Sequence, residues 1–147
     1  MTDKKDLKIL EALKQNARLS TQQISRKTSI PITTVHHRIK KLEKEDIIKG
    51  YTVLLDNKKL GKGLAAYVLV FVDYKLLKQI KLSQHDIARK LKKHELVEET
   101  DMVTGLADII LKIRVKDIDE MDEFVTKYLR NIEGIEKTQT MVVLHEF

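Results

Sequence analysis

The sequence predicts an α+β protein in two parts: three helices, then strands and helices in the order β-α-β-β-α-β. Three observations predict it. Apolar residues recur at helical spacing up to about residue 45. From about residue 64 they fall into short blocks of strand length, separated by capped helical stretches. The charge also changes along the chain. Residues 1–62 carry 15 Lys and Arg against 7 Asp and Glu, whereas residues 63–147 carry 13 against 15. A basic block beside a near-neutral one points to the first part as the one that meets a polyanion.

Leu7, Leu10, Leu13 and Ala17 share one face of a first helix, from about Lys4 to Asn16. Ser20 and Gln23 form an S-x-x-Q capping box, which opens a short helix ending near Thr28. Pro31, the only proline, stands where a helix starts or its cap sits. Val35, Ile39 and Leu42 follow at i, i+4 and i+7, giving a third helix to about Glu45. Two helices joined by a few residues, the second strongly basic, are the elements of a helix-turn-helix. From Ile47 to Leu55 the pattern turns β-like, which makes this part winged-helix-like; Gly61-Lys62-Gly63 then marks a boundary. The expected organisation is a helix-turn-helix domain at 1–50, a β-containing linker at 51–63, and a second domain at 64–147.

The second domain opens with a strand from about Leu64 to Tyr74, followed by a helix that Ser83 starts and that bears Ile87 and Leu91. Strands read at Leu96–Thr104 and Asp108–Val115, with Gly105 in the turn. Asp117 begins another helix, whose inner face holds Ile118, Met121, Phe124, Val125, Tyr128 and Leu129; Gly134 ends it. A last strand runs from Ile135 to about His145. This order is that of a ferredoxin-like domain. Both helices then cover one face of the sheet, yet Leu64–Val72 is apolar on both faces and Met141 to Leu144 are apolar in succession. A twin subunit is the simplest cover for the second face, with the N-terminal domain as the other candidate.

Composition excludes several classes. The chain is 42% apolar and 34% charged, which fits a soluble globular protein rather than a disordered or membrane one. The longest strongly apolar run, Leu64–Val72, is far too short to span a bilayer. With no cysteine and no secretion signal, the expected location is cytoplasmic. No catalytic residues, metal ligands or cofactor are expected. Gly61-Lys62-Gly63-Leu64-Ala65-Ala66 fits G-x-G-x-x-A only superficially, since it opens a strand rather than a helix. The acidic run from Asp117 to Glu123 lacks the Gly and Glu of a calcium loop. His36 and His37 point about 100° apart on a helix, a poor chelate.

The third helix carries the functional signal. With Val35, Ile39 and Leu42 inward, Thr33, His37, Lys40, Lys41 and Lys44 fall on the opposite side, with His36 and Arg38 at its two edges. A helix with such a face suits the major groove of duplex DNA. Thr33, Thr34, His36 and His37, near the helix start, are the candidate base readers. Lys40, Lys41 and Lys44 are placed for phosphates, which set affinity and register but not sequence. Arg38 stands close to the apolar seam, where an internal pair with a carboxylate and a DNA contact are both open.

These residues carry a resemblance. Asp6-Leu7-Lys8-Ile9-Leu10, Asn16-Ala17-Arg18-Leu19-Ser20, Val35 to Glu43 (VHHRIKKLE) and Ile48-Lys49-Gly50-Tyr51 resemble the N-terminal part of Lrp/AsnC (leucine-responsive, feast/famine) transcriptional regulators. Val103-Thr104-Gly105-Leu106-Ala107-Asp108 and Thr138 to Leu144 resemble that family's regulatory domain. The resemblance implies a sequence-specific regulator that binds operator DNA, engages the transcription machinery, and assembles with itself as a dimer, tetramer or octamer. It also implies a free amino acid as effector, bound around the glycine turn between neighbouring regulatory domains. By matching positions, that site falls on Thr104, Gly105 and Asp108, with Asp101, Thr138 and Thr140 as further candidates. A carboxylate such as Asp108 can hold an ammonium, and backbone N–H groups near Gly105 can hold a carboxylate. Turn-making and strand-capping explain Gly105 and Asp108 equally well.

Three positions depart from the family pattern: Ser29 and Asp46 stand where Gly is usual, and Pro31 where Ser caps the recognition helix. Pro31 offers no side-chain oxygen, so the helix start is expected to shift or to be held by Thr33 or Thr34. Asp tolerates the left-handed conformation at 46. Two readings from other classes are weaker. An enzyme of amino-acid metabolism would need a concentrated polar cluster at a strand end, and an RNA-binding adaptor would need aromatics on the basic helix.

Overall fold

The computed structural model describes residues 2–146. The chain divides between Leu55 and Asp56 into two units, inside the stretch read as linker.

The first unit is built on α1 (Lys4–Gln15), α2 (Thr21–Thr28) and α3 (Ile32–Lys44). Ile9, Ala12, Leu13, Ile24, Ile30 and Val35 form its core, with Leu19, Ile39 and Ile48 packed against them. The expected inner stripe of α1 is displaced: Leu7 is 57% exposed and Ala17 is exposed, while Asp6, Ile9, Ala12 and Leu13 are buried. Two apolar stripes overlap on this helix. The buried one contains a carboxylate, which hides it from a pattern of apolar residues alone. Asp3 and Asp6 form a capping box at the start of α1, and the Ser20–Gln23 box opens α2 as expected.

Only Ser29, Ile30 and Pro31 separate α2 from α3. Ser29 ends α2 in the left-handed conformation at φ 58°, and Asp46 adopts φ 54° after α3. These are the two positions at which Gly is usual, and the chain keeps the backbone state without the residue that favours it. Pro31 is the N-cap of α3 and supplies no side-chain hydrogen bond. Neither Thr33 nor Thr34 replaces the missing cap, because both lie within the helix. The β-like stretch Ile47–Leu55 forms no strand, and Tyr51, Val53, Leu54 and Leu55 are exposed. A strand needs a partner for its backbone groups, and none lies beside this segment within the described residues.

The second unit contains β1 (Leu64–Val72), α4 (Tyr74–Gln79), α5 (Gln84–Lys92), β2 (Val97–Met102), β3 (Ile109–Val115), α6 (Ile118–Asp122) and β4 (Ile135–Val142). The strands form an antiparallel sheet in the order β2-β3-β1-β4, the ferredoxin-like arrangement. α4 was not expected. β1 stops at Val72, and the Asp73 carboxylate caps the new helix by accepting from the Leu76 N–H. α6 passes into a π-helical stretch, Glu123–Tyr128, and a 3-10 turn, Leu129–Asn131. The wider turn alters which residues face inward. Phe124 and Leu129 are buried, whereas Ile118, expected inside, is 57% exposed.

Ala66, Val68, Val70 and Val72 on β1 lie beside Ile109, Leu111 and Ile113 on β3, and Leu77, Ile87, Leu91, Phe124 and Leu129 complete this core. The opposite face carries Tyr67, Leu69 and Phe71 against Ile110, Lys112, Gln139 and Met141. As expected, β1 presents apolar side chains to both faces. At one end of the open face Arg114 is buried, its guanidinium donating to both Glu98 and Glu146. β4 ends earlier than expected, although the Val143 N–H still reaches the Ala65 carbonyl at 2.9 Å.

Candidate DNA-reading surface and effector region

Burial of Val35 and Leu42, with Ile39 half-buried, fixes how α3 is rotated. Thr33, His36, His37, Lys40, Lys41 and Lys44 are consequently exposed, and Thr34 is half-buried. The His36 and His37 rings stand edge to face with centroids 5.9 Å apart. Lys41 lies 3.8 Å from Glu45 one turn on. Among the described residues, Lys40 and Lys44 have no carboxylate partner. The helix therefore offers free ammonium groups on the same side as two imidazoles and a threonine hydroxyl.

Arg38 is engaged inside the unit. Its Nη1 donates to Asp3 Oδ1 at 2.6 Å and to Asp6 Oδ1 at 2.8 Å. The same two carboxylates cap α1: Asp3 Oδ1 accepts from the Lys5 and Asp6 N–H groups, and Asp6 Oδ2 accepts from the Asp3 N–H. One guanidinium thus clamps the middle of α3 to the start of α1. The Arg38 hydrogen bond, ahead of the backbone donors, holds the Asp3 carboxyl at about 2. Asp6 is also held below its ordinary value, chiefly by the Asp3 N–H and then by Arg38, against the opposing pull of burial. Of the two roles open to Arg38, the geometry favours the internal pair. Sequence reasoning missed Asp3 and Asp6, although D-x-x-D before an apolar run is a readable capping signal.

The effector candidates divide into groups. Gly105 sits at φ 113° in an exposed bend beside the exposed Thr104, and a Cβ there would meet nothing within 4 Å. Only the backbone conformation requires glycine. Asp108 is already satisfied. Its Oδ2 accepts from the Val72 N–H at 2.9 Å and its Oδ1 from the Tyr74 hydroxyl at 2.7 Å. Gln84 Nε2 donates to the Asp108 carbonyl at 2.7 Å. Asp108 therefore latches the β2–β3 hairpin to the end of β1, to α4 and to α5. Tyr74 and Gln84 are its partners, and sequence reasoning missed both: Tyr74 reads as the end of a strand, and nothing in the helix opened by Ser83 ties Gln84 to residue 108. The hydrogen bond to Asp108 pushes the Tyr74 phenol up from its ordinary value.

Asp101 pairs with Ile110 on the open face of the β2 edge. Thr138 and Thr140 pair with Val70 and Val68, so they lie on the helix-covered side of the other edge strand, β4. Three strand spacings of ~4.8 Å separate the two edges. The described residues of one subunit do not bring Asp101, Thr138 and Thr140 together.

Comparison with known proteins agrees with these two units. Residues 2–49 match a winged helix-turn-helix DNA-binding domain, and residues 69–147 match the Lrp/AsnC ligand binding domain. An HTH-type transcriptional regulator of Pyrococcus furiosus is 39% identical over 142 residues, which cover 97% of this chain and 92% of the relative. A Neisseria meningitidis transcriptional regulator, solved as its L-Met complex, superposes with TM-score 0.89 at 28% identity, covering 99% of this chain and 92% of that one. E. coli AsnC superposes with TM-score 0.84 at 25% identity, covering 99% and 94%. A basic reading helix on a short-turn helix pair, joined to a four-stranded regulatory sheet, thus places the chain in the Lrp/AsnC family of DNA-binding transcriptional regulators.

Proposed function

We propose that the chain reads operator DNA through the exposed face of α3, in a division of labour set by position along the helix. Thr33, His36 and His37 meet base edges, with the half-buried Thr34 at the margin. Lys40, Lys41 and Lys44 hold phosphates. Arg38 positions the helix rather than touching DNA. The observation that carries this reading is the exposure of the lysine, histidine and threonine side of α3. Footprinting on fragments selected from the source genome tests it: protected duplex is expected, and its absence would remove the reading.

The working unit in this reading is a dimer or higher assembly that covers the open sheet face. The half-buried Leu69, Phe71 and Ile110 and the exposed Tyr67 and Met141 on that face support it. The effector is a free amino acid. The ligand-binding domain match and the L-Met complex of the Neisseria neighbour support that class. Because Asp101 and the Thr138–Thr140 pair lie at opposite edges of the sheet, one small ligand touches both only where two subunits meet. Thr104 and the backbone at Gly105 would border that junction. Asp108, whose carboxylate already has two donors, shapes the turn instead of carrying the ammonium alone. The protein acts in the cytoplasm on the transcription machinery, by binding rather than catalysis, a reading that rests on its membership of a regulator family. A thermal-shift panel of the amino acids tests the effector reading, since a ligand that binds only the folded state raises the melting temperature.

A further inference from the structure

The near-neutral charge of the regulatory unit conceals a division within it. Residues 73–94, which hold α4 and α5, carry seven Lys and Arg against Asp73 and Asp86. Residues 95–136 carry five against twelve Asp and Glu. In the acidic stretch Lys112 and Arg114 pair with Glu98 and Glu146, and Lys127 pairs with Glu123. The cations of α4 and α5 are treated differently. Arg89 lies 3.7 Å from Asp86, but Lys75, Lys78, Lys81, Lys90, Lys92 and Lys93 are exposed and have no carboxylate partner among the described residues. The two local carboxylates are committed to helix caps, Asp73 to α4 and Asp86 to the Ser83 box of α5.

On α5 the charge is also directional. Ile87 and Leu91 are buried; Lys92, Arg89 and Lys93 fall about 140°, 200° and 240° from Ile87, on the side turned away from the core. Cations in a last turn complement the helix dipole, which accounts for part of the charge on α5. Lys78 stands in the last turn of α4 in the same way, but Lys75 at the start of that helix and Lys81 beyond its cap are not accounted for.

We propose that the α4–α5 flank is a second duplex-binding surface, which holds the phosphates of DNA flanking the operator. Concentrated like charges without counter-charges repel one another, and a polyanion relieves them. Duplex DNA is the polyanion that the helix-turn-helix unit already binds. Tyr74 is the one Phe, Tyr or Trp in residues 73–94 and its hydroxyl is bonded to Asp108, so the flank offers no run of rings for successive bases, and the contact is with the backbone of a duplex rather than with a single strand. Lysine–phosphate contacts carry no base information. The flank thus makes affinity depend on DNA length and leaves operator preference to α3. The acidic stretch around α6 of a second copy is the other complementary surface.

The experiment compares the full chain with a variant carrying Lys78→Gln, Arg89→Gln, Lys92→Gln and Lys93→Gln. Salt-dependent binding is measured to a short duplex limited to the operator and to a long one with flanking sequence. On the long duplex the variant is expected to lose roughly one unit of salt slope per phosphate released, and at least about tenfold in affinity at low salt. On the short duplex the two proteins should bind alike. A charge-keeping variant, Lys78→Arg, Arg89→Lys, Lys92→Arg and Lys93→Arg, should restore the slope, which separates lost charge from lost folding. Unchanged binding to the long duplex overturns the proposal. So does an equal loss on both duplexes, which would place these residues at the operator. A smaller sedimenting species with an unaltered slope also overturns it and assigns the flank to a second copy.

Discussion

The α3 surface and the effector region are both marked by short motifs, but they differ in how they are built. The DNA-reading candidates lie on one helix, where a 3.6-residue period converts sequence spacing into shared direction. Burying Val35 and Leu42 suffices to expose the rest. The effector candidates are spread over a bend and both edges of a sheet, and their most prominent carboxylate already accepts from Val72 and Tyr74. A site on one helix is complete within a subunit. One assembled across strands depends on the topology of the sheet.

The comparison can be sharpened by mutation. Lys40→Ala with Lys44→Ala should have the largest effect, lowering the salt slope of operator binding by about two units and affinity by ~2–3 kcal/mol. Filter binding across a salt series would read this, and an unaltered slope would exclude phosphate contacts there. His37→Ala should cost about 2 kcal/mol on operator DNA and much less on random DNA. Equal losses on the two would remove the base-reading role.

Asp6→Ala removes half of a capping box and one partner of Arg38, at a cost of ~1–2 kcal/mol of folding stability. Because Asp3 and Asp6 are held below their unfolded values, the stability they contribute is present above about pH 4 and is lost as pH falls below it, for Asp3 through about 2. Acid unfolding of wild type against Asp6→Asn checks the sign: the variant should lose less stability over that window. Tyr74→Phe deletes one donor to Asp108 and should cost about 1 kcal/mol, with greater hydrogen exchange in residues 103–108 and no change in operator preference. Altered preference would mean that the hairpin latch and the reading helix are coupled. At the small end, Ser29→Gly should raise stability by ~0.5–1 kcal/mol, since a left-handed position suits glycine better.

Much of the fold was legible because local signals agreed. The Ser20–Gln23 box, Pro31, the Ser83 cap and the Gly134 stop mark element ends that chemistry fixes within a few residues. What escaped depended on distant partners. A buried carboxylate on α1 reads as a polar interruption until Arg38, 32 residues later, is known to meet it. Asp73 looks like a strand end until its carboxylate caps α4. Ile118 opens α6 and stays exposed, and the helix then widens into a π-helical stretch that no apolar period foretells. The segment at 47–55 has strand-like side chains, but strand formation requires a partner edge that local composition does not supply. On α3, which side chains are exposed was readable almost residue by residue. The partners of Asp108 were not, because they come from elements 24 and 34 residues away in the chain.

The Arg38 clamp has a practical consequence. The carboxylate that steadies α3 belongs to Asp3, and its amide is itself bonded to Asp6. Because one guanidinium serves both carboxylates, a substitution at Asp3 would disturb the start of α1 and the seating of α3 together, so a weakened operator response in such a variant would report on the clamp before it reported on the exposed face of α3.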